Sequence, residues 1–128
     1  MSRARRARKV KLGELVATAR LRKYNVGPRK VREIADLIRG LSVSAANKQL
    51  LAVHRPSAVP AIRKLIASAM SNANQKEGSS FSEDELVVGK IDVSSGPIMY
   101  RMRPMSMGRA GRVRKRTCHV RLELYEEA

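Results

Sequence analysis

The chain has 128 residues and a formal net charge of +16, from 27 Lys and Arg against 11 Asp and Glu. That length supports one domain, and so large an excess of like charge opposes compaction unless a polyanion binds, so the partner is expected to be nucleic acid or an acidic membrane surface. No apolar run approaches the roughly 18 residues of a membrane span. The basic N-terminus leads into no sustained apolar segment of the signal-peptide kind. The one cysteine, Cys118, excludes an intrachain disulfide and accords with a reducing compartment.

In chain order, residues 1–13 read as a basic extension, low in complexity over 1–11 and expected to be disordered when free. Arg20, Arg22 and Lys23 fall in a candidate strand. Pro28 opens a first helix, since a first-turn proline forfeits an N–H that would be unpaired there anyway. Val31, Ile34, Ala35, Leu37 and Ile38 follow at helical spacing, and Gly40 stops it. Ser42 or Ser44 caps a second helix with Ala45, Ala46, Leu50, Leu51 and Val53 on its apolar side. Pro56 breaks it. A third helix begins near Ser57, with Pro60 in its first turn and Val59, Ile62, Leu65, Ile66, Ala69, Met70 and Ala73 as its stripe, and runs about 20 residues to Gly78.

Residues 86–93 are rich in β-branched side chains and read as a strand. Over 118–125, Val120, Leu122 and Leu124 alternate with His119, Arg121 and Glu123, the period of a half-buried strand. A structureless connection as long as 94–117 is uncommon in a compact domain, so a projecting two-stranded ribbon is expected. Ser94-Ser-Gly-Pro marks a turn at its base and Gly108-Arg-Ala-Gly111 one near its far end. Residues 14–128 thus form one domain containing an extended hairpin over 86–125.

The charge is segregated. Residues 1–32 hold twelve cations and one acid, 33–92 balance seven against seven, and 93–121 hold eight cations and no acid. A neutral scaffold therefore carries two basic binding elements. Of Arg101, Arg103, Arg109, Arg112, Arg114, Lys115, Arg116 and Arg121, seven are arginine, whose guanidinium fork matches phosphate and stacks on bases. Arg29, Lys30 and Arg32 crowd the first turn of the first helix, where cations are unfavourable unless an anion joins them. Met99, Met102, Met105 and Met107 interleave with the ribbon arginines as adaptable apolar filler. His54 and His119 read as packing or hydrogen-bonding groups. No zinc spacing, P-loop or paired acids appear, so neither metal, cofactor nor catalysis is expected. The four aromatics are too few for a base-stacking platform, which favours recognition of a folded RNA through shape and phosphate. A DNA-binding architectural protein and a membrane-active basic protein remain the alternatives.

Val26-Gly-Pro-Arg-Lys-Val-Arg32, Asp36-Leu-Ile-Arg-Gly40, Ser68-Ala-Met-Ser-Asn-Ala73, Arg103-Pro and Gly108-Arg-Ala-Gly-Arg112 followed by Lys115-Arg-Thr-Cys-His119 closely resemble the large-subunit ribosomal protein twenty-two family, over about residues 16–125. The resemblance implies an α+β fold of three helices on a small three-stranded antiparallel sheet with a long β-hairpin. It implies a structural, non-enzymatic constituent of the large subunit of cytoplasmic ribosomes, not a homo-oligomer and with no membrane partner. It further implies 23S-type ribosomal RNA as ligand and large-subunit protein four as neighbour. The hairpin tip, Met102, Arg103, Pro104, Met105, Ser106, Met107, Gly108, Arg109, Ala110 and Gly111, would line the exit tunnel and touch the nascent peptide transiently. Gly27 and Cys118 stand where that family commonly has serine, and Met105 and Met107 replace more polar residues. The extension over 1–13 reads either as an RNA-binding tail or as the remnant of an organellar transit peptide.

Overall fold

A computed structural model describes residues 12–76, 78 and 80–128; the expectation for 1–11 lies outside the described residues. The order is β1 (Leu12–Tyr24), α1 (Pro28–Ile38), α2 (Val43–Ala52), α3 (Val59–Gln75), β2 (Leu86–Ser95), β3 (Met99–Pro104), β4 (Ala110–Lys115) and β5 (Cys118–Glu127). Strands β1, β5 and β2 form an antiparallel sheet in that order, and β3 pairs with β4 alone. The fold is α+β, as expected.

Each helix starts where local chemistry permits. Pro28 occupies the first turn of α1 behind Gly27, and Ser42 rather than Ser44 caps α2, its hydroxyl accepting from the Ala45 N–H at 3.3 Å. Pro60 lies in the first turn of α3, which ends at Gln75, sooner than expected. There the Lys76 N–H closes on the Ala73 carbonyl, and Gly78 takes a φ of +67° two residues on. The α2 stripe also differs from its spacing. Val43, Ala46 and Leu50 are buried, whereas Leu51 is 66% exposed. Leu37 likewise faces out of α1, because only one narrow stripe of so short a helix meets the sheet.

α1 packs on β2 and α3 on β1 and β5, with α2 bridging α1 and α3. Beneath them the central strand β5 sends Val120, Leu122 and Leu124 inward, all essentially buried, against Ile34, Ile38, Ile62 and Ile66 of one core cluster. The opposite face of the sheet carries no helix. Glu123 is only 5% exposed there, because Arg121 pairs with it at 2.9 Å and the Tyr125 hydroxyl donates to it at 2.8 Å. Tyr125 lies across Gly89 at the register shift between Val88 and Lys90, where any Cβ would run into the ring. The hydrogen bond to Glu123 holds the Tyr125 phenol above its ordinary pKa, with burial adding to it.

Both margins of the sheet are partly covered. Asn72 of α3 and Lys76 just after it donate to the Thr18 and Val16 carbonyls of β1, at 3.0 and 2.8 Å. On the far side, Val88 of β2 exchanges backbone bonds with Leu41 and Gly40, and Ser42 bridges Val87.

Beyond Ser95 and Cys118 the β2–β5 pair runs on into the ribbon through a joint. The Gly96 N–H donates to the Thr117 carbonyl at 2.9 Å, and the Thr117 hydroxyl, 3% exposed, donates to Pro97 O at 2.6 Å. Thr117→Val removes that donor and leaves the carbonyl with no partner in its place. The change is expected to destabilise the joint by about 1–2 kcal/mol, read as faster hydrogen exchange at the Gly96 amide; unchanged exchange would discard this role for Thr117.

The far turn spans residues 106–109, taking in Gly108 and Arg109 of the expected run but ending before Gly111. Arg109 N–H donates to Ser106 O at 3.4 Å, Met105 N–H to Arg109 O at 2.7 Å, and both central residues, Met107 and Gly108, have positive φ. That is the signature of the hairpin turns that match strand twist. Gly111 sits instead in β4, leaving room for the Met105 side chain, which a Cβ would strike.

Candidate nucleic-acid interface

The fold gathers the basic residues into three places. The first is a recess on the helix-free face of the sheet. Alternation along β5 puts His119 and Arg121 on that face; register sets Arg20 and Asp92 on either side of Arg121, and Ser94 beside His119. Arg20, Arg22, Lys23, His119 and Arg121 all line it, joined by Asp92 and Ser94. Lys23 takes a φ of +52°, and its backbone N–H donates to His119 Nδ1 at 3.0 Å. Neutral His119 therefore carries its proton on Nε2. Arg121 keeps a partner within the protein, Glu123.

The second place is a crevice between body and ribbon. Asn25, Val26 and Gly27, ahead of α1, form one wall with Lys30; Met99, Arg101, Arg114, Lys115 and Arg116 at the ribbon base form the other. Five cations thus meet across a gap from segments about 70 to 85 residues apart in sequence. Tyr24 steadies the wall by donating from its hydroxyl to the Ser57 carbonyl. Arg29 is exposed on the same helical turn but lines neither place. Arg32 turns back to β2, giving Val93 O two hydrogen bonds at 3.2 and 3.1 Å, and so ties helix to sheet. Burial pushes the neighbouring Cys118 thiol up, with Arg32 acting in the other direction.

The third place is the ribbon beyond the joint. All six residues of β3 are exposed, and Met107 at the turn is 94% exposed. Arg103 stands opposite Gly111, Arg109 closes the turn, and Arg112 lies 4.7 Å over the Tyr100 ring. That stacking leaves the guanidinium edges available while fixing the plane. Sequence reasoning did not single out Tyr100, although its diagonal position to Arg112 follows once the strand register is known.

Of the two histidines, only His119 meets its expectation as a hydrogen-bonding group; His54 is exposed just after α2. Asp92 and Ser94 went unselected because charge counting places them in or beside the neutral middle. Among the described residues no group of three or more His, Cys, Asp or Glu is placed to hold a metal ion, and no helix is long and apolar enough to cross a membrane.

The fold thus sets a charged, aromatic-poor ribbon on a small α+β body. Residues 19–125 match the family described as ribosomal protein L22p/L17e, and the chain belongs to that family. It is 42% identical over 110 residues to the large ribosomal subunit protein uL22 of Myxococcus xanthus (strain DK1622), covering 86% of this chain and 96% of that protein. It is 40% identical over 112 residues to the protein of the same description from Acidothermus cellulolyticus (strain ATCC 43068 / DSM 8971 / 11B), covering 84% of this chain but 39% of that longer protein. Membership makes the chain a structural constituent of the large ribosomal subunit, in the cytoplasmic ribosome.

Proposed function

We propose that the protein binds large-subunit ribosomal RNA of the 23S type through the outer-face recess and the body–ribbon crevice, aids assembly of the subunit, and extends its ribbon tip to the wall of the nascent-peptide exit tunnel. The observation that carries this reading is the crevice, where Lys30, Arg101, Arg114, Lys115 and Arg116 converge and no acid is among the lining residues. Such a concentration of cations is costly unless phosphate fills the gap. Arg20, Arg22, Lys23, His119 and Arg121 serve as a second contact, with Arg29 reaching phosphate from the first turn of α1. Arg32 acts indirectly by anchoring that helix. Arg103, Arg109 and Arg112 hold the ribbon to RNA, and the exposed methionines present volume and flexibility at the tip. The neighbours fitting this reading are large-subunit protein four beside the tunnel and, transiently, the nascent peptide. The role is structural and not catalytic.

Co-sedimentation with large subunits through a high-salt wash, combined with ultraviolet crosslinking mapped to peptides, tests it. RNA crosslinks are expected in peptides covering residues 25–32 and 99–116. Retention on subunits with crosslinks confined to the helical face around α2 would overturn the assignment of the interface.

A further inference from the structure

The recess on the helix-free face contains a group that phosphate binding does not explain. Asp92 sits among cations, directly beside Arg121 on the neighbouring strand, with an exposed carboxylate. A carboxylate repels phosphate, yet it accepts well from the N–H groups of a nucleobase. We propose that this recess seats one unpaired guanine of the bound RNA, read by Asp92 and His119; the proposal rests on the RNA-binding reading above.

Three features fit guanine. Its Watson–Crick edge offers two adjacent donors, N1–H and the 2-amino group, which a carboxylate accepts as a pair, and then an acceptor, O6. Adenine offers no ring N–H on that edge. The backbone bond from Lys23 leaves His119 with its proton on Nε2, a donor of fixed position on the same face, two residue pairs along the sheet from Asp92. Guanine O6 and N7 are the acceptors such a donor would meet. Finally, a guanidinium plane from Arg20, which lines the recess, supplies a face on which a base stacks. Lys90 pairs with Asp92 at 3.3 Å, but both side chains are about half exposed, so the carboxylate can exchange that partner for a base.

The test uses the full-length chain and four labelled seven-nucleotide RNAs, six uridines around a central guanosine, inosine, adenosine or cytidine, titrated by fluorescence anisotropy. The guanosine oligomer is expected to bind about tenfold more tightly than the adenosine one, with inosine, which lacks the 2-amino group, in between. Asp92→Ala is expected to abolish the preference while leaving affinity for the adenosine oligomer unchanged or raised, since a negative charge is lost. Equal binding of all four oligomers, or a preference that survives Asp92→Ala, overturns the guanine site and leaves RNA binding standing. Failure of every oligomer and of a large-subunit RNA fragment to bind overturns both.

Discussion

Raising monovalent salt from about 50 to 200 mM is expected to weaken binding of this protein to a large-subunit RNA fragment by about four to five powers of ten. The figure follows from roughly eight to ten phosphates neutralised, each releasing condensed counterions, which gives a slope of log K against log salt between about −6 and −9. The crevice cations are the side chains proposed to enter that count. Lys30, Arg101, Arg114, Lys115 and Arg116 line one crevice without an acid among them, whereas Arg32, Arg39 and Arg55 are tied to the Val93 carbonyl, to Asp36 and the Ile91 carbonyl, and to Glu33. Replacing Lys30, Arg101 and Arg116 together with alanine is therefore expected to flatten the slope by about two to three, with little change in fold stability because all three are exposed. Arg39→Ala is expected to cost stability and leave the slope alone, since Arg39 bridges Asp36 and the Ile91 carbonyl. A wild-type slope shallower than about −3 would mean that these cations are solvated in the complex.

The second large effect concerns the core. Leu122 is fully buried in the central strand, opposite Ala19 on one side and Ile91 on the other. Leu122→Ala removes its apolar contacts and leaves a cavity that a strand paired on both sides cannot collapse. A loss of about 3–4 kcal/mol is expected, lowering the thermal midpoint by about 10–15 °C for a domain of this size. Leu51→Ala, at a position 66% exposed, is the control and is expected to change stability by less than about 0.5 kcal/mol. Similar midpoints for the two variants would show that the sheet's inner face is not the stabilising core.

The contrast between those leucines marks what could be read from sequence. Val120, Leu122 and Leu124 alternate with polar neighbours, and a period of two has one solution once one face is buried. Proline and serine at helix starts act within a turn, so α1, α2 and α3 were legible with ends a few residues off. Leu51 misled because helical spacing defines a stripe without fixing its width. The rest depends on partners distant in sequence. Gly89 answers to Tyr125, Gly111 to Met105 and Thr117 to Pro97, so none of these pairings leaves a local pattern. Gly108-Arg-Ala-Gly111 looked like the turn because two close glycines usually are one; here the second makes room for a side chain. The two basic segments were visible as charge. That they divide between a crevice and a recess, and that Asp92 enters the recess, required the register of β2 and β5.

The partly covered margins of the sheet bear on the life of this protein before it joins a ribosome. A ribosomal protein is synthesised apart from its particle and waits in crowded cytosol beside many identical chains. Exposed strand edges in that setting recruit one another into fibrils, and a strand as long as β1 would be an effective seed. Lys76 and Asn72 occupy two of the carbonyls along β1 that a second chain would use, and the Gly40–Ser42 segment covers Val87 and Val88 at the start of β2. Neither device touches the crevice or the recess. Two side chains and a loop thereby block part of each sheet edge to another strand without using the crevice or the recess.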